Sequence, residues 1–363
     1  MRANQPNTLT QATTSANLAA LCRLPDTAIC KARSLARFAR TGLGVAALAA
    51  IAVTTPAVAD SDARGWIEKM SVAMQDLDYN GTFVYLHGGD IESMKIYHRK
   101  KDGIEHERLV SLNGEAREII RNADDVICIW PGSKSVIVSK AKPRTPFPRF
   151  EPAQMQSLQS HYRFEELAPA RIADRPARTI DISPLDEYRY GYRLWIDQET
   201  SLLLRSAMSD YTGAVLEQVM FTEIEVEESV PMEIFQVAST GKRYEWLAGT
   251  DLQERLQPEI ETDIPSVKKM ALPNGFELTG EQISPVAGSS KPARRLMYSD
   301  GLSSVSVFVA ESGGENGDLL GTSTMGAVSA FGIDLGQWHA TVVGEVPIHT
   351  VKMVGESIEL ATP

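Results

Sequence analysis

The sequence predicts an α+β protein, mainly antiparallel β, divided into two domains of unequal size. Three observations carry this. Short β-branched and aromatic runs follow one another across residues 81–226, with tight-turn pairs at Asp102-Gly103, Asn113-Gly114 and Pro131-Gly132. A chain of such hairpins is an antiparallel meander. One amphipathic segment precedes the meander and needs a sheet to cover. An acidic stretch then leads to a second turn-rich region, and 363 residues exceed what one core of ordinary size uses.

Residues 1–59 stand outside this fold. A basic run at 31–40 precedes an almost wholly apolar run at 42–53, and Ala57-Val58-Ala59 closes it in the small-residue pattern of a cleavage site. That order reads as a secretory signal peptide, and the apolar run is shorter than the roughly 20 residues of a membrane span. A retained anchor is the weaker reading. The polar extension before the basic run fits either an overextended start or a long n-region. The leader holds six Lys/Arg and one Asp, so the expected mature chain carries −16 against −11 for the whole. So acidic a chain, without a basic stripe, neutralises phosphates poorly, which argues against nucleic acid. Cys22 and Cys30 leave with the leader. Cys128, in the apolar run 126–130, then reads as a buried inert thiol, with an intermolecular disulfide as the alternative.

The first expected element is a helix with Trp66, Met70, Ala73 and Leu77 along one face. Strands are expected at 81–87, 94–99, 104–112, 117–121, 126–130 and 136–138. Residues 140–152 contain four prolines, which cannot donate to a ladder, so a loop or edge is expected there. A short helix at 154–162 follows, then strands at 178–182, 188–196, 202–209 and 216–226. One helix against many antiparallel strands implies a curved sheet. From 223 to 263 there are eleven Asp/Glu against three Lys/Arg, which reads as a connection, part of it near 244–247 packing on a domain. The organisation is thus 1–59 leader, 60–226 larger domain, 227–264 acidic linker and 265–363 smaller α+β domain. In the last, 305–309 and 337–345 read as strands and 313–321 as a loop. Pro347 opens a helix with Val351, Val354 and Ile358 on one face.

Motifs for chemistry are wanting, and the sequence reads as a binding protein rather than an enzyme. Residues 42–47 match a dinucleotide fingerprint only inside the leader, and no phosphate-binding loop occurs. The six histidines do not stand at metal-ligand spacing; His98 and His106 read as a solvated pair across the Asp-Gly hairpin. Ser323 lacks the glycine spacing of a nucleophile elbow. No metal or cofactor is expected.

Residues 108–118 (RLVSLNGEARE), 171–175 (RIADR), 192–197 (YRLWID), 216–218 (LEQ), 272–276 (LPNGF), 295–301 (RLMYSDG) and 342–347 (VVGEVP) resemble the MucB/RseB family of periplasmic regulators of the sigma-E (AlgU) envelope-stress response. The resemblance runs the length of the chain after the leader. It implies a lipoprotein-carrier-like half-barrel sheet with helices on its concave side, plus a smaller domain. It also implies a negative regulator in the periplasm, which binds the periplasmic segment of a membrane anti-sigma factor and shields it from site-one proteolysis. Lipid signals, lipopolysaccharide or lipoprotein acyl chains, are implied to loosen that grip. On this reading Trp130, Phe147, Phe150 and Trp195 line a lipid slot gated by the Pro-rich segment 142–150, although core packing and an exposed loop account for the same residues. Tyr298, Ser299, Asp300 and Gly301 are the candidate partner contacts. The alternative is a lipid or lipoprotein carrier, for which a second domain has no use. Oligomeric state is open, a homo-oligomer included.

Overall fold

A helix and six strands in hairpin succession open the described chain: α1 (Ala57–Asp76), β1 (Tyr79–His87), β2 (Asp90–Lys101), β3 (Ile104–Ser111), β4 (Glu118–Asn122), β5 (Asp125–Trp130) and β6 (Ser135–Ser139). The turn chemistry explains the succession. Asp102 and Gly103 both take positive φ, 53° and 79°, the geometry that joins two strands without splaying them. Between β3 and β4 the expected tight turn is a longer loop, closed by the Ser111 N–H on the Arg117 carbonyl, with Gly114 at a φ of 68° within it. The computed structural model describes residues 57–122, 125–139, 147–148, 150, 155–237, 245–248, 263–285, 292–313 and 318–361. The expected leader lies outside them, apart from the first turn of α1.

After α2 (Met155–Leu158) come β7 (Tyr162–Ile172), β8 (Arg175–Pro184), β9 (Gly191–Asp197), β10 (Leu203–Ser209), β11 (Val215–Val226) and β12 (Glu245–Ala248). All twelve strands form one open, curved sheet in the order β12-β6-β5-β4-β3-β2-β1-β11-β10-β9-β8-β7, antiparallel except where β12 lies parallel to β6. α1 crosses its concave face. The buried stripe of α1 is Ala63, Ile67, Met70 and Ala73, which keeps Met70 and Ala73 of the expected face, whereas Trp66 falls on its flank, partly buried. There Arg178 and Lys69 lie over the indole, at 4.6 and 4.7 Å from its centroid.

Two features differ from expectation. β7 was not expected, because Glu165, Glu166 and Pro169 interrupt its apolar alternation. It is an edge strand, with a bulge between Leu167 and Ala170 beside that proline, where a missing donor does little harm. The acidic connection is also less free than its composition suggests. A 3-10 turn at Met232–Phe235 straps the convex face, with Val230 and Phe235 buried. Arg99, Arg108 and Asn122 donate to the carbonyls of Val230, Ile234 and Phe235.

The second part holds β13 (Val267–Lys269), β14 (Glu277–Pro285), β15 (Pro292–Ser299), β16 (Ser304–Glu311), β17 (Gly321–Met325), β18 (Val328–Leu335), β19 (Trp338–Gly344), α3 (Ile348–Glu356) and β20 (Glu359–Leu360). Six strands make a sheet ordered β14-β15-β16-β19-β18-β17, and β13 pairs with β20. α3 begins after Pro347 and buries Val351 and Val354; Ile358 lies past its end but in the same core. Gly355 lets this helix approach the sheet, since an added Cβ would run into the Phe331 ring. Gly355→Ala will therefore destabilise the chain by about 1–3 kcal/mol of overpacking, against a helix-propensity gain of about 1 kcal/mol. A urea midpoint above the parent's would show that Phe331 moves aside freely.

Candidate functional site

Two places gather side chains that the sheet alone does not require. The first is a cleft between α1 and the concave face, about 510 Å³ with its open mouth included. Met70 and Met74 of α1 and Tyr79 of β1 line it on one side, Phe147, Pro148 and Phe150 on the other. Unbranched methionines beside aromatic rings adapt to irregular apolar shapes. Phe147 packs edge-on to Phe83 at 5.1 Å and stacks on Phe221 at 5.5 Å, and Phe150 meets Tyr192 edge-on at 6.4 Å. His98 stacks on Tyr79 at 4.8 Å and its Nδ1 bonds the Leu77 carbonyl at 2.8 Å. Glu105 and Glu107 put carboxylates at the polar end, with Glu107 paired to Arg121. The lining is mostly apolar, with two carboxylates.

The four residues named for a lipid slot thus separate. Phe147 and Phe150 come together in the cleft, 8% and 2% exposed. Trp130 shares the concave face by alternation with Cys128, which pairs with Ile119, but lies half-buried at the end of β5. Trp195 sits on the opposite face. It pairs with Thr179 and Arg205, whereas Leu194 and Tyr192 on the concave side pair with Ile180 and Ile182. Arg205 covers its indole at 4.1 Å, so Trp195 does not line the cleft. The basic residues of segment 142–149 lie outside the described residues.

The expected His98–His106 pair is also corrected. His98 lies opposite Glu107 and His106 opposite Arg99, an offset of one residue that sends the two rings to opposite faces. His106 instead bonds Asn122 Oδ1 at 2.8 Å and packs beside Phe235. Among the described residues no group of His, Cys, Asp and Glu has metal-ligand geometry. Cys128 is a free, half-buried thiol whose pKa is raised by burial, a poor nucleophile.

The second place joins the two sheets. The Arg189 and Asp300 side chains are fully buried, with Nη1 and Oδ2 3.1 Å apart. Tyr162 donates to Asp300 Oδ2 at 3.0 Å, and the backbone N–H groups of Leu302 and Ser303 donate to Oδ1 at 2.9 and 2.7 Å. The guanidinium lies over the rings of Tyr162 and Phe276, at 5.6 and 5.2 Å, and donates to the Asn274 carbonyl. Burial first, then the nearby Asp300 charge, push the Tyr162 hydroxyl well above its ordinary pKa, keeping it a donor. Nearby, Thr350 of α3 donates to the Tyr188 carbonyl at 3.0 Å.

Asp300 was a candidate contact for a partner, yet its carboxylate is buried with all its partners inside the chain. Ser299 and Gly301 shape the same turn: Ser299 Oγ donates to the Ser303 carbonyl and accepts from the Gly301 N–H. Tyr298 is half-buried against the smaller core. The sequence did not mark Arg189 or Tyr162, because nothing local distinguishes them.

Models of the MucB/RseB N-terminal and C-terminal domains match residues 62–239 and 265–359. The chain is 30% identical over 311 residues to the sigma factor AlgU regulatory protein MucB of Pseudomonas aeruginosa, covering 84% of this chain and 93% of that one. It is 28% identical to the sigma-E factor regulatory protein RseB of Haemophilus influenzae, over 81% of this chain and 90% of the relative. Among solved structures, the P. aeruginosa MucA/MucB complex matches with a TM-score of 0.63 at 28% identity, covering 83% of this chain and 100% of that one. A structure of MucB in complex with MucA(peri) matches equally, at 27% identity and the same coverage.

Proposed function

The chain belongs to the MucB/RseB family, and from that premise we propose that it is a periplasmic regulator, not an enzyme, that binds the periplasmic segment of a membrane anti-sigma factor. Held there, the segment is shielded from site-one proteolysis. An acyl chain entering the cleft, from lipopolysaccharide or a lipoprotein, loosens the grip. The observation that supports the binding of that segment is the match over the full length of MucB as solved with MucA. Physically the switch is linkage: a ligand preferring the partner-free form releases the partner by its differential affinity. Each buried CH₂ contributes about 0.8 kcal/mol, so a few methylenes in the cleft suffice to compete with a modest interface.

Residues 57–363, which hold every described element, would be titrated calorimetrically with a MucA-type periplasmic segment, with and without lipopolysaccharide fragments. Saturable binding that the fragments weaken by at least about tenfold, roughly 1.4 kcal/mol, is the expected result. Tight lipid binding with no binding of the segment would replace the regulator by a lipid carrier.

A further inference from the structure

We propose that the outer edge of β17 is a docking strand, to which an extended segment of the anti-sigma partner adds as a seventh strand of the smaller sheet. This deepens the regulator reading and rests on it. All five residues of β17, Gly321, Thr322, Ser323, Thr324 and Met325, are exposed, and among the described residues no strand pairs with its outer side. Large apolar side chains stand free at both ends, Leu320 at 67% exposure and Met325 at 49%. Exposed edges are ordinarily blunted by charge, proline or a bulge. β14, the opposite edge of the same sheet, has all three: Glu277 and Glu281, Pro285, and a register shift between Leu278 and Gly280. β17 has none, and it pairs with β18 without a break in register.

The edge is also held ready. Gly326 and Ala327 form the two-residue turn into β18, with Gly326 at a φ of 59°. Ala327 is buried in the core of the larger sheet, and Gly326 lies close against Gly88 of the first hairpin. The strand is therefore pinned at one end, which lowers the ordering a partner must supply. Register says which groups face outward. Met325 and Val328 flank the two-residue turn and so exchange both bonds, as do Ser323 with Ala330 and Gly321 with Gly332. Thr322 and Thr324 are left with N–H and C=O directed away from β18. Backbone bonds to these two residues, flanked by apolar contacts at Leu320 and Met325, suit a neutral extended peptide recognised mainly through its main chain. The occupant we assign is the anti-sigma segment because relatives have been solved in complex with MucA.

The test compares residues 57–363 carrying Thr322→Pro or Thr324→Pro with the parent, titrated with a synthetic MucA-type periplasmic segment. Each proline removes one outward donor without touching the β17–β18 ladder, and should weaken binding about tenfold or more. Thr322→Val and Thr324→Val keep the N–H and should stay within about twofold. Amide hydrogen exchange on the unsubstituted chain, which needs no variant to fold, should show Thr322 and Thr324 protected by the segment. Proline variants binding like the parent, or unprotected amides in a bound complex, overturn this placement while leaving the regulator reading standing. Proline variants that convert a dimer to a monomer with unchanged affinity assign the edge to a second copy and overturn it too. A parent that binds no segment overturns both readings.

Discussion

Replacing Asp300 with alanine is expected to destabilise the chain by about 3–5 kcal/mol, the loss seen when one member of a buried ion pair is removed. Asp300 and Arg189 have fully buried side chains and sit 3.1 Å apart. Without the carboxylate, the guanidinium stays desolvated between the Tyr162 and Phe276 rings, with the Asn274 carbonyl as its remaining close acceptor and Asp186 3.4 Å away. The Tyr162 hydroxyl and two backbone N–H groups lose their acceptor at the same moment. Tyr162→Phe removes only one donor and should cost about 1 kcal/mol. Arg189→Met with Asp300→Leu removes both charges and should recover much of the loss. Calorimetric melting reads all of these. Because the joint ties the two sheets, Asp300→Ala should also split melting into two transitions. A shift worth less than about 1 kcal/mol would mean that water reaches the pair in solution.

The larger sheet was legible because its signals are local. Asp102-Gly103 and Asn113-Gly114 dictate turns within a few residues, and alternation marks the strands between them. Those signals fade wherever a strand is not half-buried. All of β17 is exposed, so no apolar period marks it as a strand, and its first residue falls in the loop expected at 313–321. β7 hides behind Pro169 and two glutamates that only an edge tolerates. On α1 the expected face holds at Met70 and Ala73, but Ile67 takes the buried place expected of Trp66, whose amphipathic ring serves as a flank under Arg178.

The sites were less legible, for a reason of distance. Arg189 and Asp300 lie far apart in sequence, and only the docking of two sheets decides that this charge pair is buried. A tyrosine-rich stretch around Arg189 and a Ser-Asp-Gly turn are each unremarkable locally. Trp195 and the two histidines fail differently: each sits in the strand expected, but face follows from register, and a shift of one residue reverses it. Phe147 and Phe150 pack onto the concave face because aromatic residues in a proline-broken segment have no strand face of their own and must insert elsewhere.

That insertion makes Phe147 the most informative position in the cleft. Its ring fills the space between Phe83 and Phe221, where it is 8% exposed. Phe147→Ala should therefore lower stability by about 3–5 kcal/mol, the usual cost of emptying an aromatic site in a core. The same truncation leaves an apolar hollow continuous with a cleft already walled by Met70, Met74 and Tyr79. Hollows of that kind stay dry and take apolar ligands. Phe147→Ala should thus bind a fluorescent fatty acid more tightly than the parent while being less stable without it. Both effects follow if the ring is a plug that an acyl chain must displace, and fatty acid in excess should then restore part of the lost stability. Aspartate here would bury a carboxylate and confuse binding with unfolding, so alanine is the better probe. Urea midpoints with and without fatty acid, beside a fluorescence titration, measure both quantities. Weaker binding would make Phe147 a wall against which the chain lies, and an unchanged midpoint would show that the segment does not dock at all.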